Sequence, residues 1–149
     1  MRTSYHEELD GLLKSLLHMA ELVETALEES TAALFEADIN RAEAVISNDA
    51  KLDQLHEKLE YECLSLLALQ APVAGELRTV VSAIRMVFEL ARMGDLAAHI
   101  AKIARLRYPN KAVPASLEPN FRSMSEIALK MIDVAREALA NRDVQEAYG

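Results

Sequence analysis

The sequence predicts an all-α protein, folded as an elongated antiparallel helical bundle. The chain of 149 residues contains only four glycines and four prolines, and residues that favour helices dominate its composition. Apolar residues recur every three or four positions through long stretches, as they do on one buried face of a helix. The breaks between these stretches are short, and short connections make neighbouring helices antiparallel.

An apolar stripe and a cap predict each of the first two helices. Helix 1 is expected to begin at a capping box formed by Ser4 and Glu7 and to run to about Phe35. Asp38 is expected to cap helix 2, because an aspartate accepts hydrogen bonds from the first backbone N–H groups of a helix. The stripe of helix 1 consists of Leu9, Leu12, Leu13, Leu16, Met19, Ala20, Val23 and Leu27.

Prolines mark the limits of the other two helices. Pro72 is predicted to open helix 3, because proline suits the first turn of a helix, and this helix runs to about Tyr108. A proline-bearing linker follows over 109–116. Ser116 is expected to cap helix 4, which runs to about Asn141.

An internal repeat relates helix 4 to helix 1 at an offset of 105 residues. It aligns Met19 with Met124, Ala33-Leu34 with Ala138-Leu139, and Asp38-Ile39 with Asp143-Val144. The expected organisation is a three-helix repeat over 1–108, a linker over 109–116, and the first helix and turn of a truncated second repeat over 117–149. Helix 4 is expected to pack on the first repeat or on another chain.

The charge balance limits the classes of function. The net charge is −8, which argues against nucleic-acid binding because phosphate contacts need a basic face. The polar, acidic start does not resemble a signal peptide, and no stretch is apolar enough to span a membrane, so a cytoplasmic protein is expected. Cys63 lies in an apolar run and is expected to be a buried core residue.

Three basic residues, Lys102, Arg105 and Arg107, crowd the end of helix 3. Cations at the carboxyl end of a helix suit the helix macrodipole, and such an end is commonly solvated. A patch that contacts a partner or a membrane surface is the alternative. The sequence leaves both interpretations open.

Acidic residues of helices 2 and 3 are predicted to converge. Asp49 and Asp53 share one face of helix 2, and Asp95 and His99 share one face of helix 3. Folding the hairpin places Asp49 and Asp95 about 4.5 Å apart in height. Carboxylates this close repel one another unless a cation lies between them, and such ligands suit Mg, Mn, Fe or Zn. Solvated surface charges are the alternative.

Three stretches carry a resemblance to a known family. They are "DAKLD" (49–53), "LLALQAPVAGELRTVVSAIRM" (66–86) and "ARMGDLAAHIAKIA" (91–104). Together they resemble the PhoU family, the phosphate-uptake regulators of bacteria, and "AKIARLRYP" is most similar to the actinobacterial members. The resemblance implies two three-helix repeats in a six-helix fold, of which this chain would hold one repeat and the first helix of the next.

The resemblance also implies a function. Members of this family are cytoplasmic, often dimeric and non-enzymatic negative regulators of phosphate uptake and phosphate-starvation signalling. They join the phosphate ABC transporter and its ATPase to a sensor histidine kinase, so contact with the membrane is expected only through these partners. A structural helical-bundle dimerisation module is the alternative function. A di-metal carboxylate bundle protein is a weaker one, because this chain lacks the paired Glu-x-x-His motifs of that class.

Some family members bind metal ions through acidic motifs, which implies ligand roles for Asp49, Asp53 and Asp95. This chain has Ala91 where the family usually has an acid, and His99 is a candidate nitrogen ligand. Glu89 lies about 120° away from the face of Asp95 and is a poor substitute as a ligand. With Arg92 and Gly94, it is expected to belong to a network that contacts a partner or fixes helix register. The remaining residues of "ARMGD" are expected to act in packing. Gly94 would allow close approach of a neighbouring helix, and Arg92 would pair with a carboxylate in the cluster or in a buried network that fixes helix register, with Asp95 facing inward.

Overall fold

The prediction of an all-α bundle is confirmed. The structure is a computed structural model that describes residues 2–70, 72 and 74–141. Over these residues it contains helices and irregular connections, with no strand. The four helices are α1 (Arg2–Glu36), α2 (Ile39–Gln70), α3 (Gly75–Arg107) and α4 (Glu118–Ala140).

Helix α1 lies at the centre of the bundle and contacts each of the other three helices. Its predicted apolar stripe is buried except for Leu9, which is partly buried, and Leu16, Met19 and Val23 are fully inaccessible to solvent. Helices α2 and α3 contribute Leu59, Leu66, Val80 and Val87 to the same core. The spacing of the apolar residues therefore identified the face of α1 that packs inward.

The turn between α1 and α2 closes through local hydrogen bonds. Ala37 has a φ of 54°, and the backbone N–H of Asp38 donates to the carbonyl of Ala33 at 3.1 Å, as in a Schellman motif. The predicted helix cap is confirmed, because the N–H of Arg41 donates to Oδ1 of Asp38 at 3.2 Å. Small residues of the second core cluster, among them Ala42 and Ala101, pack α3 closely against this turn.

The predicted capping box at the start of α1 is wrong. The helix begins at Arg2, so Ser4 lies inside its first turn. The hydroxyl of Ser4 donates to the carboxylate of Glu8 at 3.5 Å. A serine already inside the helix is engaged with the next turn and does not cap its start.

The predicted starts of helices 3 and 4 are also corrected. Helix α3 begins at Gly75 rather than at Pro72, because Ala74, with a φ of 53°, still holds a non-helical conformation. Helix α4 begins after Leu117, and no side chain caps it. The carbonyl of Pro114 instead accepts the N–H groups of Leu117 and Glu118, at 3.0 and 3.1 Å. This turn takes the place of the cap expected from Ser116.

Helix α4 packs antiparallel on α1 of the same chain. Ile132 is buried against the core, and Arg136 pairs with Glu24 of α1 at 3.5 Å. Nearer the start of α4, the guanidinium of Arg122 lies 4.4 Å from the ring centroid of Phe35. The second copy of the turn, at Asp143-Val144, lies outside the described residues. The division into two repeats stays a prediction.

None of the described helices has a stretch that is both long and apolar enough to cross a bilayer.

The buried thiol of Cys63 gives a prediction about reactivity. Burial, with a smaller effect of Glu62 and Glu60, raises its pKa from 9.0 to about 11. The neutral thiol therefore stabilises the fold fully below about pH 9, and this contribution is lost as the pH rises through about 11. At about pH 8 we expect the folded chain to react with an aromatic disulfide reagent roughly 100-fold more slowly than the chain unfolded in guanidinium. Equal rates would show that Cys63 is accessible.

Candidate metal centre

Helices α2 and α3 bring three carboxylates together midway along their hairpin. Asp49 and Asp53 project from one side of α2, one helical turn apart, and Asp95 lies opposite them on α3. One carboxylate oxygen from each residue lies within 4.8 Å of the other two. The two acidic stripes therefore converge as the helix spacing predicts.

A contact in the core sets this geometry. Leu52 lies between the two aspartates in the sequence and is buried, and the helical repeat places Asp49 and Asp53 together on one side of it, at the protein surface. A Cβ atom built on Gly94 would lie 3.4 Å from Cδ1 of Leu52. Because Asp95 follows Gly94, packing of Leu52 against this glycine brings the third carboxylate to the other two.

The carboxylates stand over a small cleft with an apolar floor. Its volume is about 10 Å³, close to the space that a single water molecule needs. Met19, Leu52 and Leu90 line it together with the three aspartates. The cleft is therefore large enough for one small ion that these oxygens would contact.

The carboxylates repel one another. Burial raises the pKa of Asp49, and the charges of Asp53 and Asp95 raise it further, while Lys102 and His99 act in the opposite direction. Asp49 is half-buried, whereas Asp53 and Asp95 are exposed. A bound cation would offset this repulsion, and three carboxylate oxygens suit a divalent ion. The residues present therefore fit the metal that the resemblance implies.

Gly94 lies at the contact between α3, α2 and α1, but this contact does not require a glycine. Gly94 is buried, and its added Cβ would contact Leu52 of α2 at 3.4 Å and Val23 of α1 at 3.8 Å. Both distances are ordinary van der Waals contacts. The site therefore has room for a methyl group but not for a longer side chain.

The expected network around Arg92 is wrong. Arg92 is exposed, and no ion pair joins it to another residue in the described part of the chain. The buried face of α3 at this height is formed by Leu90, Gly94 and Ala97, so position 92 faces solvent. Asp95 is exposed at the rim of the cleft rather than turned inward, and Glu89 is exposed and lies outside the group of carboxylates.

The two histidines of this helix pair lie in different places, His99 away from the carboxylates and His56 beside them. His99 is exposed and is not part of the group whose ligand atoms lie within 4.8 Å; it lines a groove between α1, α3 and α4. His56 lines the cleft of the aspartates, with its ring edge-on to Phe88 and its Nε2 atom 3.6 Å from Glu60. Its spacing of three residues from Asp53 was the sequence signal for this position.

Sequence reasoning did not predict the groove that His99 lines. The groove has a volume of about 640 Å³ and is predominantly apolar. Leu27 and Phe35 of α1, Ile100 and Ile103 of α3, and Phe121 and Met124 of α4 lie along it. It exists because α4 packs on α1 without closing against α3.

Comparison with known protein families identifies the family to which the chain belongs. The profile of the PhoU domain matches residues 16–104. The chain belongs to the PhoU family. The matched range contains all three aspartates and Gly94, so the candidate site lies inside the PhoU domain.

Two mycobacterial members of the PhoU family align along almost the entire chain. The chain is 45% identical over 147 residues to "Phosphate-specific transport system accessory protein PhoU homolog 1" of Mycobacterium tuberculosis, covering 99% of this chain and 66% of that protein. It is also 45% identical to homolog 2 of the same organism, of which it covers 69%. The chain thus spans about two thirds of the length of these relatives.

A solved PhoU structure confirms the fold. The crystal structure of PhoU from Pseudomonas aeruginosa superposes with a TM-score of 0.82 at 28% sequence identity. The superposition covers 93% of this chain and 66% of that one. The arrangement of helices that positions the three carboxylates is therefore that of a PhoU fold.

The packing at Gly94 predicts the effect of adding a methyl group there. We expect Gly94→Ala to raise the free energy of unfolding by about 0.5–1 kcal/mol, because alanine favours a helix interior and its methyl group fits against Leu52. Gly94→Leu should destabilise the fold, because its side chain would overlap Leu52 and Val23. Urea unfolding followed by circular dichroism measures both changes.

Gly11→Ala is the matched control, since an added Cβ at this exposed helical position meets nothing within 4 Å. Its free energy of unfolding should rise by the same amount as in Gly94→Ala, because the gain comes from helix propensity alone. If Gly11→Ala stabilises the chain and Gly94→Ala destabilises it, the helices approach more closely than the structure shows.

Proposed function

We propose that this chain acts as a non-enzymatic negative regulator of phosphate uptake and phosphate-starvation signalling. The observation that carries the proposal is its 45% identity, over 99% of its length, to a protein named as an accessory protein of the phosphate-specific transport system. The partners we propose are the ATPase of the phosphate ABC transporter and the sensor histidine kinase. The expected setting is the cytoplasm.

The proposed mechanism is docking without covalent change. A regulator of this kind acts as a switch only if it binds two states of a partner with different affinities. The bundle would stabilise the state of the kinase that does not signal. The long rigid helices support such a role, because they hold an extended surface in one geometry.

Direct binding tests this proposal. We expect the full chain to be retained at low salt by the transporter ATPase, by the cytoplasmic part of the histidine kinase, or by both. The ATPase of an unrelated ABC transporter is the control and should retain none. Failure of both proposed partners to retain the chain contradicts the docking mechanism.

We also propose that Asp49, Asp53 and Asp95 hold one divalent cation. The three carboxylates supply only oxygen ligands, and His99 lies outside their group, which favours Mg²⁺ or Mn²⁺ over Zn²⁺. The cation would supply positive charge that cancels the repulsion between α2 and α3. Its role would be to fix the hairpin rather than to perform chemistry.

The double variant Asp49→Asn/Asp95→Asn tests the cation site. Without metal we expect it to be more stable than the parent by about 0.5 kcal/mol, because repulsion between like charges is removed. With Mn²⁺ at about 100 times its Kd, the parent should gain about 2.7 kcal/mol and the variant nothing. Thermal unfolding with and without Mn²⁺, together with elemental analysis, measures both effects.

Glu89→Gln is the control for this experiment, because it removes an exposed acid of α3 outside the carboxylate group. It should keep the full response to Mn²⁺. An equal response to Mn²⁺ in the parent and in the double variant would place the metal elsewhere.

A dimerisation module is the second candidate function, and one face of α4 favours it. Met124, Ile127 and Met131 are 64%, 62% and 65% exposed, and a row of large apolar side chains at the surface commonly marks an interface. We propose a second copy of this chain as the partner at this face. The homodimer would accompany the regulatory role. If the chain has no regulatory role, dimerisation would be its function.

The oligomeric state distinguishes these possibilities. We expect the parent to sediment as a dimer and Ile127→Lys/Met131→Lys to sediment as a monomer, because the lysines place charge inside the interface. Tyr61→Lys, which changes a residue that is 73% exposed on α2, should leave the dimer intact. A parent chain that stays monomeric at high concentration contradicts the dimer.

A further inference from the structure

One segment of the chain carries positive charge only. Residues 96–117 contain four lysines and arginines and no aspartate or glutamate. Because the whole chain carries −8 and this segment +4, the remaining residues carry −12. We call the four cations the basic end; they are Lys102, Arg105, Arg107 and Lys111, on the last turns of α3 and in the linker that follows.

The basic end is exposed and unpaired. All four of its side chains are open to solvent, and none of them forms an ion pair within the described part of the chain. The acids beside the α1–α2 turn are already engaged, since Arg41 pairs with Glu29, Glu36 and Asp38 at 3.4–3.5 Å. The four cations therefore face solvent without a carboxylate partner from this turn.

Helix capping accounts for only half of these cations. Arg105 and Arg107 lie in the last turn of α3, where the macrodipole favours positive charge. Lys102 lies before that turn, where its charge acts on Asp49, and Lys111 lies in the linker beyond the helix. A second reason is needed for positive charge that continues past the helix end.

Large apolar side chains stand among the cations. Leu106 is 81% exposed, and Ile103 and Tyr108 are each 48% exposed. The opposite face of this helix end is buried, because Ala101 and Ala104 pack against the α1–α2 turn. Leu106 therefore points away from the bundle, between Arg105 and Arg107.

We propose that the basic end binds the surface of an anionic lipid bilayer, with Leu106 and Tyr108 entering the interface between their flanking cations. Lysine and arginine beside apolar residues are the combination that adsorbs to such a surface. The groups lie on a helix end and on the loop after it, which a flat, deformable surface can contact at once. This arrangement favours a bilayer over an acidic protein, which would need a complementary shape.

The acids of the α1–α2 turn share this end of the bundle with the cations, and Arg41 pairs with three of them. The acids at the opposite end of the bundle lie too far away to prevent the contact. Helix α3 has 33 residues and is therefore about 50 Å long, whereas electrostatic repulsion is screened within roughly 8–10 Å at moderate salt. The bundle would stand with its basic end on the membrane and its far end in solution. This inference goes beyond the proposed function, because it requires no protein partner.

The absence of tryptophan from the sequence allows a direct test with Leu106→Trp. We expect its emission to shift to the blue on vesicles of phosphatidylcholine mixed with phosphatidylglycerol, but not on phosphatidylcholine alone. The shift should weaken between about 50 and about 300 mM salt, because the contact is electrostatic. Tyr61→Trp, on the exposed face of α2, is the control and should show no shift.

Two charge variants separate the basic end from net charge. Lys102→Gln/Arg105→Gln/Arg107→Gln/Lys111→Gln should lower sedimentation with the anionic vesicles at least tenfold, since each cation near such a surface contributes about fivefold. Lys14→Gln/Lys51→Gln/Arg78→Gln/Arg85→Gln removes the same number of exposed lysines and arginines elsewhere and should retain binding. Circular dichroism establishes that both variants fold.

Four results would overturn the proposal. They are no binding to anionic vesicles at about 50 mM salt, equal binding to neutral vesicles, and an equal loss of binding in the two charge variants. The fourth is that the chain binds poly-glutamate at the basic end but does not bind vesicles. That result would assign this surface to an acidic protein. None of these results bears on retention by the transporter ATPase or the kinase, so the two proposals fail separately.

Discussion

Burial of the apolar face of α1 is the interaction on which the rest of this structure depends. Each fully buried leucine or valine contributes roughly 1.5–3 kcal/mol, and α1 places a continuous row of such residues between its neighbours. Helices α2 and α3 cover it as a hairpin, and α4 packs on it antiparallel. The hairpin keeps its register because its own apolar residues must meet this row.

The candidate metal centre is a by-product of that register. Leu52 must be buried, and the helical repeat then places Asp49 and Asp53 together on one side of it, at the surface. Leu52 packs beside Gly94, which brings Asp95 to the same height. A repulsive group of charges thus stays assembled because the apolar contacts beneath it stabilise this arrangement of the helices.

The sequence predicts correctly the features that the helical repeat of 3.6 residues determines. The stripe of α1, the cap at Asp38 and the convergence of Asp49 with Asp95 follow from helix geometry and one short turn. Prediction from the sequence failed where long-range packing decides. Arg92 shares a helix face with Asp95, but only the position of α2 shows that this face is open to water. The wrong predictions at the helix ends have local causes. The conformation of Ala74 makes α3 begin at Gly75, and the turn after Pro114 takes the place of a serine cap at the start of α4.

Helix α4 contacts no described helix other than α1, and this attachment has a thermodynamic consequence. Val23 of α1 lies beside Gly94 under the carboxylates, while the next residue, Glu24, holds Arg136 of α4. A displacement of α1 that alters one contact alters the other. If the proposed cation shifts α1 when it binds, cation binding and the docking of α4 change each other's affinity by the same factor. Two surfaces without a common residue would communicate through the shift of a single helix.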